Sequence, residues 1–324
     1  MKNTLCGVET ERNMSNNAAV IKTQKASGLL NRQRKRTLVA YSFIAPNFIG
    51  FAVFTLGPII LAFIMAFSEW DGSNPMKFVG LKNFADLFAN ERFLASLKNT
   101  IVYSLFTVPL TLVAALALAI LLNQKIKGRT FFRTVTFFPY VASLVAVAAV
   151  WNMLFTPSKG GLMNQLLMNV FHAEPLKWAA SPKTVMLTII LFSVWKNMGY
   201  YMVIYLAGLQ GISEDLYEAA ALDGANAWQK FWYVTLPQLK PTTFFVSVML
   251  TISCFKIYDI VYMLAGGSNG VVNKSAMVLV YYIYEEAFRN WKLGSASAAA
   301  LVLFAVVLII TLIQFRGEKN YANY

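Results

Sequence analysis

EAAALDGANAWQKFWYVTLPQLKP, residues 218–241, is a polar, turn-broken stretch between two long apolar runs. Asp223-Gly224 is a turn signal, because glycine reaches φ > 0 without strain and Asp tolerates the bend. Ahead of it, Leu216, Ala219, Ala220 and Ala221 suit a short helix. Behind it, Ala227, Trp228, Phe231 and Trp232 recur at helical spacing. The residue before a proline is pushed out of the α region, so Leu236-Pro237 is expected to stop the second helix. The spacing predicts two short helices about a glycine corner, with a bulky apolar side that needs a partner surface. An ordinary amphipathic loop would satisfy the same pattern.

The flanks are membrane-like. Hydrophobic residues make up 57% of the 324, charged ones only 13%, and the mean hydropathy is +0.54. Several apolar runs reach about 20 residues, the length that a hydrocarbon core roughly 30 Å thick asks of a helix. A net charge of +13 would point to nucleic acid in a soluble chain, but here it falls largely in loops beside apolar runs, so no nucleic-acid partner is expected. Cys6 and Cys254 sit in unlike settings, and His172 is the single histidine, which argues against a disulfide framework or a zinc site. The run Gly266-Gly267-Ser268-Asn269-Gly270 with Lys274-Ser275 has the wrong spacing for a phosphate-binding loop. No histidine–carboxylate pair or reactive thiol suggests catalysis, so no enzyme activity and no bound cofactor are expected of this chain.

Six spans follow from hydropathy: 38–67, 99–123, 134–155, 184–209, 242–264 and 293–315. Pro46, Gly57 and Pro58 interrupt the first, and Pro109 is an expected kink in the second. Residues 1–37 read as a polar, basic, mostly disordered cytoplasmic tail without the apolar core of a signal peptide, and 316–324 as a short cytoplasmic tail. Arg32, Arg34, Lys35 and Arg36 precede the first span, while Lys125, Lys127, Arg129 and Arg133 form a basic loop after the second. That bias puts both termini, and residues 210–241, in the cytoplasm of a multi-pass protein of the cell membrane. Residues 68–98 read as a mixed outer loop with an amphipathic helix around 81–97.

Glu218-Ala219-Ala220, then Asp223-Gly224-Ala225, Phe231, Leu236-Pro237 and Pro241 resemble the EAA loop of binding-protein-dependent ABC importer permeases. From about Leu38 to the C-terminus the chain resembles the sugar branch of that family, the relatives of the maltose-transporter permeases. The resemblance implies an all-α integral membrane protein with the type I importer permease fold (MetI-like). It implies a permease domain over 38–315 whose EAA loop couples transport to ATP hydrolysis in separate subunits. It also implies four partners besides the bilayer: a second permease, two ATPase subunits that hold ATP and Mg, and an extracytoplasmic binding protein. The substrate implied is a sugar, an oligosaccharide before a monosaccharide, with sugar phosphates and uronic-acid oligosaccharides as options.

Polar residues inside spans are the candidates for a substrate pathway, since such groups are expensive in a bilayer. Lys196 lies near the middle of the fourth span with Asn197, Tyr200 and Tyr201 within a turn. These offer donors to hydroxyls and aromatic faces to a sugar ring; hydrogen bonding between helices explains them equally well. The fifth span carries Thr251, Phe255, Tyr258, Asp259 and Tyr262 on or near one face, and Lys256 is placed to pair with Asp259 three residues on. A pair there reads as near a binding-protein mouth or, with slight preference, as structural. Gly294, Ala298 and the small run 295–300 suit close helix packing in the sixth span. An ion-gradient-driven secondary transporter is the other function class to weigh, but no inverted repeat is evident and the 218–241 stretch would have no role in one. A membrane scaffold without transport is the third.

Overall fold

The computed structural model describes residues 35–265 and 275–319. The basic tail as far as Arg34, the glycine-rich run at Gly266–Gly270 with Lys274, and the last five residues lie outside the described residues. The chain divides into two compact units, Met1–Ala62 and Phe63–Tyr324. The first is a single helix over its described residues; that helix, α1, runs Lys35–Ala66. Pro58 does not break it, because a π turn at Ala52–Leu56 carries the Gly57 N–H to Ala52 O just before the proline.

In the second unit a two-residue hairpin comes first, β1 (Ser68–Glu69) pairing antiparallel with β2 (Lys77–Phe78). There follow α2 (Lys82–Ala89) and α3 (Glu91–Asn123). The single amphipathic helix expected over 81–97 is therefore two pieces. Asn90 divides them: its side chain accepts from the N–H groups of Arg92 and Phe93, so the second span starts well before Asn99. One face of α3 is a row of small buried residues, Ser96, Thr100, Ser104, Thr107, Thr111, Ala115 and Ala119. α7 (Val185–Gln210) packs along α3, and within the row the Thr100 hydroxyl accepts from the Leu279 N–H at 2.8 Å.

The third span departs from expectation. It is a pair of helices, α4 (Arg129–Val141) and α5 (Leu144–Leu154), bent by 100° at Ala142-Ser143. Pro139 removes one helical N–H just before the break. Arg129 and Arg133, read as loop residues, belong to α4, and Arg133 donates to the Leu122 carbonyl at the end of α3 (2.9 Å).

After α6 (Leu162–Phe171) and α7 come the helices of the polar stretch, α8 (Glu214–Leu222) and α9 (Ala227–Lys230). The fifth span is also broken: α10 (Lys240–Phe255) meets α11 (Asp259–Ala265) at 52°. Next are α12 (Leu279–Tyr284), with a π turn at Glu285–Arg289, and α13 (Leu293–Lys319). At the start of α13 a β-carbon on Gly294 would lie 2.1 Å from the Ser68 carbonyl oxygen, and Ala298 is fully buried, as expected of a close-packing run. Among the described residues four helices are long and apolar enough to cross a membrane, or up to six if each bent pair forms one span.

Candidate functional site

The glycine corner is built by overlapping local codes. Ser213 caps α8, its Oγ accepting from the Asp215 N–H (3.3 Å), and Glu214 and Asp215 place negative charge at the positive helix end. The helix closes with two reversed bonds, Gly224 N–H to Ala221 O (3.1 Å) and Ala225 N–H to Ala220 O (2.9 Å). That closure needs a left-handed residue, and Gly224 supplies it at φ +78°. Nothing lies within 4 Å of where its β-carbon would be, so backbone conformation, and not space, selects glycine. Asn226 then starts α9 with a reciprocal cap: its side chain accepts from Gln229 N–H (2.9 Å), and Gln229 Oε1 accepts from Asn226 N–H (2.8 Å).

The second helix does not stop at Leu236. Leu236 is helical (φ −64°, ψ −42°), and a π turn at Phe231–Thr235 passes its N–H back to Phe231 O. Pro237 then sits in the first turn of a further short piece, Leu236–Gln238, where no donor is required of it. The chain bends at Leu239, one residue before α10.

The predicted apolar side is present and partly uncovered. Trp228, Phe231 and Trp232 form a cluster with ring centroids 5.3–5.8 Å apart. Trp228 is 67% exposed and Trp232 47%. Glu218, Ala219, Asp223 and Pro241 are exposed, while Ala220, Ala225, Phe231, Leu236 and Pro237 are half-buried. Sequence reading missed the tie across the corner, where the Tyr217 and Thr235 hydroxyls hydrogen-bond at 3.0 Å. It also missed the Asn226/Gln229 cap, which the spacing of an Asn and a Gln three residues apart would have revealed.

Within the fourth span, Lys196, Asn197, Tyr200 and Tyr201 gather about the break in the third. Lys196 Nζ donates to the carbonyls of Pro139 (2.8 Å), Tyr140 (3.3 Å) and Ala142 (3.4 Å). These are the acceptors that a broken helix end leaves open. Tyr200 stacks on Tyr140 with centroids 4.4 Å apart, and Tyr201, 5% exposed, packs edge-on to Tyr200. Asn197 donates to Ser193 O in its own helix (2.8 Å). The ammonium thus has three carbonyl partners, one for each proton.

In the fifth span the expected Lys256–Asp259 pair is absent: among the described residues no ion pair joins them, and both side chains are exposed. The helical spacing that would align them is lost, because Lys256 is the residue just past the end of α10 and Asp259 begins α11. Thr251 and Phe255 are buried. Thr251 Oγ1 accepts from Gln314 of α13 (3.1 Å), which the sequence did not signal. Tyr258 and Tyr262 join Tyr281 and Tyr284 in an aromatic group with centroids 5.0–6.4 Å apart. Tyr262 and Tyr284 are 38% and 37% exposed, so the rings keep open faces.

Residues 84–320 match a sequence model described as binding-protein-dependent transport system inner membrane component. The chain is 38% identical over 293 residues to the probable ABC transporter permease YesP of Bacillus subtilis, covering 90% of this chain and 94% of that one. It is 31% identical over 310 residues to the arabinooligosaccharide transport permease AraP of Halalkalibacterium halodurans, covering 95% and 96%. Among solved structures it is similar to a bacterial ABC transporter involved in import of the acidic polysaccharide alginate. The TM-score is 0.77 at 27% identity, over 90% of this chain and 98% of that one.

Proposed function

Because the chain belongs to the binding-protein-dependent transport system inner membrane components, and is a permease of a sugar ABC importer with a type I permease fold, we propose that its corner at Gly224 docks an ATPase subunit. Two such ATPases and a second permease would complete the assembly, with both termini of this chain in the cytoplasm and the β1–β2 hairpin outside. ATP and Mg would sit on the ATPases, and this chain would bind no cofactor and catalyse nothing.

The observation that carries the reading is the exposed aromatic cluster Trp228–Phe231–Trp232 on a rigidly capped helix. Large aromatic side chains left open to solvent beside a fixed corner are the usual anchors of a protein interface. Closure of the ATPases would move α8 and α9 together, since the Tyr217–Thr235 bond ties α8 to the π turn that continues α9, and the motion would pass through Leu239 into α10. Glu218, exposed and without a described partner, is available to a basic group or a backbone donor of the ATPase.

The substrate we propose is an oligosaccharide. The open faces of Tyr262 and Tyr284, both in ring contact with Tyr258, suit the apolar sides of sugar rings, with Asp259 at hand for hydroxyls. A similar alginate transporter solved with a pentasaccharide-bound periplasmic protein, and the arabinooligosaccharide permease among its relatives, support that size class. Lys196 would act by position: it holds the bend of the third span, leaving Asn197, Tyr200 and Tyr201 to line the pathway's side of α7. With its protons on carbonyls it has none to offer an anionic sugar. The test of docking is retention of the ATPases during purification. Exchange of Trp228 and Trp232 together for alanine should strip them from the membrane complex while the two permeases stay paired. Unchanged retention would remove the aromatic cluster from the interface.

A further inference from the structure

A pocket of about 560 Å³ opens between the hairpin with α2 and the segment from Tyr282 to Ser295. None of its walls belongs to the glycine corner or to the candidate pathway. Two adjacent carboxylates in the π turn differ in how they are neutralised. Glu285, 8% exposed, is held by Arg92 Nη2 at 2.6 Å and Arg289 Nη1 at 3.0 Å. Glu286, 6% exposed, accepts one bond from the neutral amide of Asn290 (2.9 Å) and has no cation within ion-pair distance among the described residues. It is Glu286, and not Glu285, that lines the pocket. A carboxylate taken out of water without a counter-charge is unfavourable, and it is tolerable where a cation arrives from outside.

The other walls carry mixed charge: Lys77, Lys82 and Lys292 line the pocket beside Glu69, Asp71 and Asp86. Lys82 is paired with Glu69 at 3.7 Å, so Glu286 is the buried carboxylate left to a guest. Asp86 lacks an ion-pair partner among the described residues. Asp71 is occupied internally: the Asn74 and Ser73 amides hold its carboxyl down at about 2. The Tyr282 hydroxyl, pushed up to about 12 first by burial and then by Glu286, stays protonated and adds no second negative charge beside Glu286. Trp70 and Trp291 add aromatic faces, which attract cations through the ring quadrupole. Trp291 sits at φ +54°, a conformation a bulky residue holds only when its surroundings impose it, and such outliers gather at recognition sites.

We infer that this pocket receives a projecting turn of the extracytoplasmic binding protein and that an arginine or lysine on that turn pairs with Glu286. The inference rests on the proposed orientation, with the hairpin outside. The volume exceeds one basic side chain and suits a turn carrying several. A free sugar would also find carboxylates and tryptophans here, but it would leave the Glu286 charge uncompensated.

The experiment uses the whole transporter in lipid nanodiscs, with ATP hydrolysis followed as its sugar-loaded binding protein is titrated in. Glu286→Gln keeps the shape and can still accept from Asn290. It should raise the half-saturating concentration of binding protein about tenfold and flatten its dependence on salt. Glu286→Lys should raise it further. Among charge reversals of exposed arginines and lysines on the binding protein, one should weaken docking to the wild type and have little effect beside Glu286→Gln. An unchanged half-saturation in Glu286→Gln overturns the inference. So does a change that follows which sugar is loaded while docking is unaltered, which would make the pocket a carbohydrate subsite. Orientation is read separately, by labelling a cysteine placed at Asn74 with an impermeant thiol reagent. Failure there removes the orientation itself, whereas labelling with unchanged docking removes this inference alone.

Discussion

The corner at Gly224 and the break at Ala142 are both places where a helix ends abruptly and the chain turns, yet they are held by different forces. At Gly224 the hydrogen bonds that shape the corner come mostly from within a few residues: the Ser213 cap, the reversed bonds to Ala220 and Ala221, and the Asn226–Gln229 box. The exception is Tyr217 to Thr235, 18 residues apart. At Ala142 the exposed helix end is closed by Lys196, more than 50 residues later in the chain. A corner of the first kind is a rigid unit that can be moved as a whole. A corner of the second kind binds two spans together, so its stability depends on how they pack. The distinction suits a docking element on one side and a bend inside the bundle on the other.

The comparison breaks first if Gly224 does not matter. Since its β-carbon would meet nothing, only the left-handed backbone is at stake. Gly224→Val should cost about 1–2 kcal/mol at that residue and swing α9 away from its place. Sugar uptake should fall at least about tenfold, with the ATPases lost on washing, because a misplaced aromatic cluster cannot seat. Gly224→Asn should retain most uptake, because asparagine tolerates this region. Uptake equal in the valine and asparagine variants would mean the backbone conformation is not what the corner requires.

Lys196 sharpens the other side. Lys196→Met preserves length and apolar stem but leaves the Pro139, Tyr140 and Ala142 carbonyls without their donor. A charged hydrogen bond removed from a partly buried site costs about 1.5–3 kcal/mol. The detergent-solubilised complex should therefore lose several degrees of melting temperature, and Lys196→Arg should recover part of it. A variant of normal stability with an altered preference between neutral and acidic sugars would instead place the ammonium on substrate.

This contrast also explains what could be read before the structure. Apolar runs of membrane length mark the four long helices and the two bent pairs, and Asp223-Gly224 marks the corner, because length and turn chemistry are local properties. A bend of 100° inside an apolar run leaves hydropathy unchanged, so residues 134–155 looked like one helix although Pro139 was visible. The π turns ahead of Pro58 and Pro237 shift hydrogen bonds to i−5, which side-chain spacing does not record. Pairing Lys256 with Asp259 requires helix through both, and the chain breaks between them. The Lys196 contacts and the Glu286 pocket depend on residues dozens to hundreds of positions apart, beyond the reach of periodicity.

The smallest effect is expected at Asn226, and it tests whether the corner is held by many minor terms or by one. Asn226→Ala removes the side-chain half of the reciprocal cap on α9, leaving Gln229 N–H to water. Loss of such a cap costs about 1 kcal/mol. The Gly224 backbone and the reversed bonds to Ala220 and Ala221 do not depend on it, so α9 should fray at its first turn without leaving its position. Uptake should drop by less than about fivefold, the equivalent of that energy. Asn226→Ser, which can accept the same bond, should restore it, and the ATPases should remain bound in all three proteins. Should Asn226→Ala instead release the ATPases as completely as Gly224→Val, Asn226 would be touching the partner directly. The corner would then owe its place to the docked complex more than to its own caps.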